Sequence, residues 1–464
     1  MGECSIVLKP HWGKKSVESM DVSYEFDTLP RQKDEEICRM QLETVTIPGC
    51  DPEDFTVCDA HGDVELEVKT TDPYPYLLKH WKASRALEGR VRISYSVRPR
   101  QLKPEDKCGP YFDFRAEEGG ANSAGLSFLA DFDEYEGHIA LHWDLDDMPE
   151  GSRGVFTFGE GDVCMDCSME NFRQSYYCVG RIHSITQGDF GFYWLTEPDF
   201  DMNAIAEYTK SLFSLMQDFF RDTESVYRIF VRKDPFPTSG GTALKRSYMF
   251  GWNDTQPVTV ADKQNILAHE MVHNWPHLND NPYGSTSWYS EGTAEFYSIL
   301  LPLRMGLVTA EAARKELQAR TDNYYTNPTR HMENLEAARI CWQDRRAQRL
   351  PYGRGMFFLA NTDVLIRRAT RGEKSLDDVV LDILDKDRRG VVLGNQVFLD
   401  TVKEISGLDV SEDMERMRTG GHFAPLEEGF DGHFRIAEVQ VPEADTGESV
   451  SSYIWSLREG YSAE

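Results

Sequence analysis

No run of this sequence approaches the roughly 20 consecutive apolar residues that a bilayer-spanning helix needs, which excludes a helical membrane protein. Basic residues are outnumbered as well: 50 Lys and Arg face 78 Asp and Glu, for a formal net charge of −28. Such a charge repels nucleic acid and anionic lipid, so neither is an expected partner. Cysteine is sparse and odd in number, nine scattered along the chain. That suits reduced thiols in a cytoplasm better than a disulfide framework. The amino terminus, from Met1 to Val7, lacks a basic region followed by an apolar run, and Ile6 stands where a myristoylation signal wants Ser or Thr. The expectation is neither export nor a lipid anchor. Internal repeats and low-complexity linkers are absent too.

What is present is ample material for folded cores. At 464 residues, 40% hydrophobic and 12% aromatic, the chain exceeds what one core normally organises, and two to four domains are expected. Up to about residue 193 it reads as short alternating or β-branched runs broken by Gly, Pro and Asp, among them 42–47, 64–68, 91–97 and 138–143. This predicts an all-β domain over 1–193. Residues 194–330 mix helix and strand. Apolar spacing predicts a helix over 202–220, a strand over 225–231, a turn at 237–242, an edge strand over 247–252, and a helix from about 261 that Pro276 stops. From residue 309 the pattern is helical with breaks, over 310–325, 332–349, 355–368, 376–384 and 395–406, so a helical domain is expected over 331–424. The tail, 425–464, reads as irregular or strand-like. The fold class is multidomain α+β: an amino-terminal β-sandwich-like domain, a mixed middle domain and a carboxy-terminal helical domain.

Chemistry concentrates at His269-Glu270-Met271-Val272-His273. Residues four apart share a helix face, so both imidazoles can reach one metal ion, while Glu270 points at the ion's open position. A second helical segment, Trp288-Tyr289-Ser290-Glu291-Gly292-Thr293-Ala294-Glu295, supplies Glu291 to close a His, His, Glu set around one zinc ion per chain, leaving a site for water. In this arrangement Glu270 is the expected general base. Glu295, four residues after Glu291, is placed to accept a hydrogen bond from the outer nitrogen of a ligand histidine.

These paired motifs resemble the thermolysin-like zinc aminopeptidases, the aminopeptidase N family and, more closely, the glycyl aminopeptidase-like family. Both carry a Trp-x-x-Glu-Gly segment. The seventeen residues between His273 and Glu291 make a shorter loop than either family usually has. The resemblance implies a thermolysin-like catalytic domain over 194–330 and a cytoplasmic zinc metallopeptidase, most simply an aminopeptidase acting on peptides. It also implies that Tyr352, in Leu350-Pro351-Tyr352-Gly353-Arg354-Gly355 ahead of an apolar helix, stabilises the tetrahedral intermediate, and that Arg354, in place of the usual lysine, binds substrate. By the same resemblance, Gly240, Gly241 and Thr242 belong to a glycine-rich strand that meets substrate backbone. There the sequence departs from the families, because Ala243 stands where a glutamate would bind the substrate's amino group. A zinc hydrolase of a non-peptide substrate, an endopeptidase, or a non-catalytic peptide-binding relative are the alternatives that this departure raises. Cys164-Met165-Asp166-Cys167, with Cys178 and His183 beyond, reads as incidental thiols, and His277 as a solvated loop histidine. Oligomeric state has no signal in the sequence.

Overall fold

The structure is a computed structural model that describes residues 2–237, 240–255 and 258–460. Contacts divide it into two units, one of residues 1–207 and 224–260, the other of residues 208–223 and 261–464.

The first unit is built on alternation. Gly2–Trp12 sends Cys4, Ile6 and Leu8 inward and leaves Ser5, Val7 and Lys9 on the opposite face. It pairs antiparallel with Val17–Phe26 and parallel with Glu136–Trp143 within a seven-stranded sheet. A four-stranded sheet, centred on Glu36–Thr44 and Tyr76–Ala83, shares one core with it, including Ile6, Val22, Ile93, Ile37, Met40 and Trp81. This is the sandwich that the alternating runs predict. One expected run crosses a turn: residues 42–47 are split between Glu36–Thr44 and Ile47–Pro48, with Val45 and Thr46 at φ 46° and 73° between them.

The unit also holds a mixed five-stranded sheet in the order His183–Gln187, Phe190–Trp194, Tyr227–Lys233, Ser247–Trp252, Gly241–Leu244. The three middle strands are parallel. Tyr227–Lys233 and Ser247–Trp252 are buried almost throughout, as strands covered on both faces are. The sheet edge expected at 247–252 is therefore one strand further out, at Gly241–Leu244. Of the turn expected before it, Thr238 and Ser239 lie outside the described residues. The connection from Phe190–Trp194 to Tyr227–Lys233 contains helix α1, Met202–Phe219.

The second unit is helical. Helices α2 (Val260–Val272), α3 (Ser287–Arg304), α4 (Ala310–Tyr325) and α5 (Leu350–Ala369) carry the residues that matter below. The helix expected over 332–349 is two short ones, Asn334–Ile340 and Arg345–Gln348. Leu376–Arg388 begins with a capping box from Ser375 and Asp378, and Asn395–Ser406 ends on Gly407 in the left-handed conformation. The tail forms an antiparallel hairpin of Phe434–Pro442 and Ser449–Leu457. Trp455 fixes it to α4: its indole donates to Thr321 Oγ1 at 2.7 Å and its backbone N–H to Gln318 Oε1 at 3.0 Å. Among the described residues no helix is long and apolar enough to cross a membrane.

Candidate metal centre

Helix α2 buries Leu267, Ala268, Met271 and Val272 completely, and His269 and Glu270 are buried with them. The helix stops at Val272, earlier than Pro276 requires. The N–H groups of Asn274 and Trp275 donate to Met271 and Val272 carbonyls three residues back, tightening the last turn. His273 sits in that turn. Beyond it, the Asp280 carboxylate gathers the short loop, accepting from Gly284 N at 2.9 Å, Thr286 N at 2.8 Å and Ser287 Oγ at 3.2 Å. This delivers the start of α3 with Glu291 one turn in.

Three donor atoms converge. His269 Nε2 and His273 Nε2 are 3.1 Å apart, and Glu291 Oε2 is 3.3 Å from the first and 3.6 Å from the second. Ligands of a tetrahedral zinc ion, at about 2.0–2.2 Å from it, stand about 3.3–3.6 Å from one another. Glu291 Oε2 is buried yet receives no hydrogen bond, so the site has a carboxylate oxygen in want of a cation. The residues fit zinc, and His269, His273 and Glu291 are the one metal-holding group of this kind among the described residues.

The surrounding groups complete the arrangement. His269 Nδ1 lies 3.4 Å from Glu295 Oε1, and Arg320 Nε donates to the other oxygen of Glu295 at 2.5 Å. The outer nitrogen of His273, Nδ1, lies 3.4 Å from Ser290 Oγ. Burial opposes charge on His269, but Glu291 and Glu295 on either side outweigh it and lift the ring's pKa to about 10 in the absence of metal. Burial also opposes charge on Glu295, whose carboxyl Arg320 and His269 nevertheless bring down to about 2. His273 and His269 likewise hold the Glu291 carboxyl below its ordinary pKa against its burial. Anions that stay ionised in a buried site attract a cation.

Tyr352 stands over the centre. Its ring stacks on His269 at 5.6 Å between centroids and 7° between planes, and the Arg349 guanidinium lies 4.9 Å from the Tyr352 ring centroid. Burial, and then the charge of Glu291, push its hydroxyl pKa far above the ordinary value, so it remains a hydrogen-bond donor. The segment expected to precede α5 is instead its first turn, with Pro351 near the start where a missing N–H costs nothing. Gly355 and Gly292 fix the crossing of α5 on α3: a Cβ at Gly355 would lie 1.9 Å from Trp288 O, and one at Gly292 would lie 2.5 Å from Gly355 C. A cavity of about 80 Å³ opens beside Glu291 and Tyr352, lined by Tyr283, Trp342, Leu350 and Pro351 among others.

Residues 262–350 match the family model of the M61 glycyl aminopeptidases, a stretch that includes His269, His273 and Glu291. The chain is a zinc metallopeptidase. The fold of this metallopeptidase is similar to that of the aminopeptidase N family protein from Idiomarina loihiensis, at a TM-score of 0.72 and 13% identity over 97% of this chain and 81% of that one. It is similar also to the M1 zinc metallopeptidase from Deinococcus radiodurans bound to Tyr-Ser-Ala, at 0.57 and 14% over 92% and 94%. A third likeness is to native yeast LTA4 hydrolase, at 0.56 and 14% over 92% and 69%. No curated protein sequence matches the chain.

The structure brings together His269, Glu270, His273, Glu291, Glu295 and Tyr352. Glu270 is buried, and its charge acts on both His269 and Tyr352. Arg354 departs from expectation: it is fully buried, and its guanidinium donates to Asn334 Oδ1 at 2.5 Å, Arg330 O at 2.6 Å and Met332 O at 2.8 Å. It holds the start of α5 in place instead of meeting substrate. Gly240, Gly241 and Thr242 belong to the first unit, the last two on the outer strand of its mixed sheet. Thr242 Oγ1 is already engaged, accepting from Tyr111 N and donating to Gly241 O. His277 turns to Asp387, at 3.6 Å. Ser290 and Arg320 escape a reading of the sequence because their partners, His273 and Glu295, lie 17 and 25 positions away, and Asp280 because it acts largely on backbone N–H groups, which leave no residue pattern.

Proposed function

We propose that the protein is a zinc-dependent aminopeptidase with one catalytic ion per chain, held by His269, His273 and Glu291. When bound, zinc polarises a water molecule and the scissile carbonyl. Glu270 takes the water's proton and passes it to the departing amine, a task for a carboxylate beside the metal and not on it. The Tyr352 hydroxyl donates to the carbonyl oxygen as negative charge develops there, where added binding lowers the barrier. Glu295, itself held by Arg320, keeps the His269 ring turned with Nε2 inward, and Ser290 does the same for His273.

The cavity beside Glu291 and Tyr352 suits a small apolar side chain next to the scissile bond. Gly240, Gly241 and Thr242, on or next to the outermost strand of the mixed sheet, are the residues proposed to meet the backbone of an extended peptide. Work in a reducing cytoplasm is supported by nine free cysteines, several of them packed in the cores.

The observation that carries this reading is the convergence of Glu291 Oε2 on two imidazole nitrogens, with no hydrogen bond of its own, under the ring of Tyr352. Zinc-loaded protein should release amino acids from peptides with a free amino end and leave amino-blocked ones intact. Glu270→Gln should lower kcat by about 10²–10⁴ without losing zinc. Equal cleavage of blocked and free peptides would favour an endopeptidase, the reading that Ala243 in place of a glutamate raises. Full peptide turnover by Glu270→Gln would reject the mechanism.

A further inference from the structure

Far from these ligands in sequence, a second cluster has the geometry of an activated nucleophile. Val163–Ser168, the outermost strand of the seven-stranded sheet, pairs antiparallel with Glu136–Trp143, so that Asp166 faces His138 and Cys164 faces Ala140. Residues opposite one another in an antiparallel pair share a face, and alternation puts Cys164, Asp166 and His138 together on the exposed one. Cys164 Sγ lies 2.8 Å from His138 Nε2, and His138 Nδ1 lies 2.8 Å from Asp166 Oδ1. An ionised carboxylate can only accept, so Nδ1 carries the hydrogen and donates it to Asp166. Nε2 keeps its lone pair for the thiol proton. Thiol, base and orienting carboxylate thus follow one another in contact.

We propose that Cys164 is a reactive thiol site that takes small disulfides of the glutathione class, with His138 as its base. The Cys164 proton moves to His138. The thiolate then attacks one sulfur of the disulfide, the new bond forms as the old S–S bond breaks, and the departing thiolate takes the proton from His138. One disulfide is consumed and one is formed, so no further oxidant is needed.

An open sheet face favours this chemistry over acyl transfer, since exchange needs only a thiolate and access. Cys167, three residues along, cannot resolve the adduct. It points to the other face and packs against the core, and three strand residues span about 10 Å, beyond the roughly 7 Å that a disulfide bridges between Cα atoms. The adduct therefore persists until an external thiol removes it. Cys4, Cys38, Cys50, Cys108 and Cys178 are buried, and burial pushes their thiols above the ordinary value.

The test is to expose the zinc-loaded full chain to glutathione disulfide and to map adducts on all nine cysteines by mass spectrometry over time. Cys164 should be modified at least tenfold faster than Cys58, Cys167 or Cys341, the half-buried thiols. His138→Gln, at a position half exposed to solvent, should slow it tenfold or more with the melting temperature unchanged. Asp166 is a positioning residue: Asp166→Asn should slow the reaction several-fold, and Asp166→Glu should recover part of the rate. Equal modification of another cysteine, or an unchanged rate in His138→Gln, overturns the proposal.

Discussion

Replacing Gly355 by Ala should disable the enzyme without emptying its metal site. The added Cβ would lie 1.9 Å from Trp288 O and 2.9 Å from Gly292 Cα, both in the neighbouring helix, where no flexible side chain can yield. Ordinary contact begins at 3.4 Å, so α5 must back away from α3 by about 1.5 Å. Tyr352 rides on α5 one turn earlier and leaves its stack on His269, whereas the ligands lie on α2, α3 and the turn between them. A catalytic group misplaced by about 1 Å can cost about 10²-fold in rate. Overpacking of this kind also costs about 1–3 kcal/mol in stability. The expectation is therefore a kcat lowered about a hundredfold, close to that of Tyr352→Phe, with zinc content near one equivalent. Zinc by atomic absorption, a thermal melt and steady-state kinetics on one preparation separate these effects. Gly292→Ala meets the same backbone from the other side and should behave alike. Wild-type kcat in a folded, zinc-loaded Gly355→Ala protein would refute the reasoning, because the tyrosine's placement would then not depend on the helix crossing.

Two further perturbations test other parts of the molecule. Glu295→Gln keeps the shape but removes the charge facing His269 Nδ1, and zinc affinity measured by chelator competition should fall about 10–100-fold; a change below twofold would mean that Glu295 does not act on the ligand. In the first unit, the Asp59 carboxylate accepts from Arg85 at 2.6 and 2.8 Å and from the backbone of His61 and Glu88, and Arg85 first among these holds its pKa below the ordinary 3.8. A group whose folded pKa is depressed contributes stability above the unfolded value and loses it as pH falls. Asp59→Asn should thus melt about 2–4 °C lower at pH 7, with the gap narrowing in melts below pH 3.8; a gap constant with pH would contradict this account.

Much of the architecture is legible because the signals that set it are local. Periodicity marks Ala310–Tyr325 and Asn395–Ser406 to the residue, and alternation marks Val91–Val97. Failures fall where tertiary contacts decide. A hairpin turn through Val45 and Thr46 uses two β-branched residues at positive φ, which local preference argues against. The apolar run Ser247–Trp252 looks the same whether it is an edge or an inner strand, and only its pairing on both sides tells them apart. Arg354 shows the same limit for a side chain. A basic residue two positions after Tyr352 reads as a substrate contact until three protein oxygens are found around its guanidinium.

The site divides along the same line. His269, His273, Glu291 and Glu270 are legible because a metal ligand set needs particular residue types at helical spacing, so the chemistry itself writes the pattern. What holds those groups in place is written in pairs that sequence spacing does not link. Arg320 reaches Glu295 across 25 positions, and Gly355 meets Gly292 helix to helix. A glycine in a helix reads as a weak point, costing about 1 kcal/mol against alanine. Here that cost admits the close approach on which the tyrosine's position depends. Residues that perform the chemistry are constrained by what they are, and residues that position them by what they touch. The first kind can be named from one chain of letters; the second needs the fold.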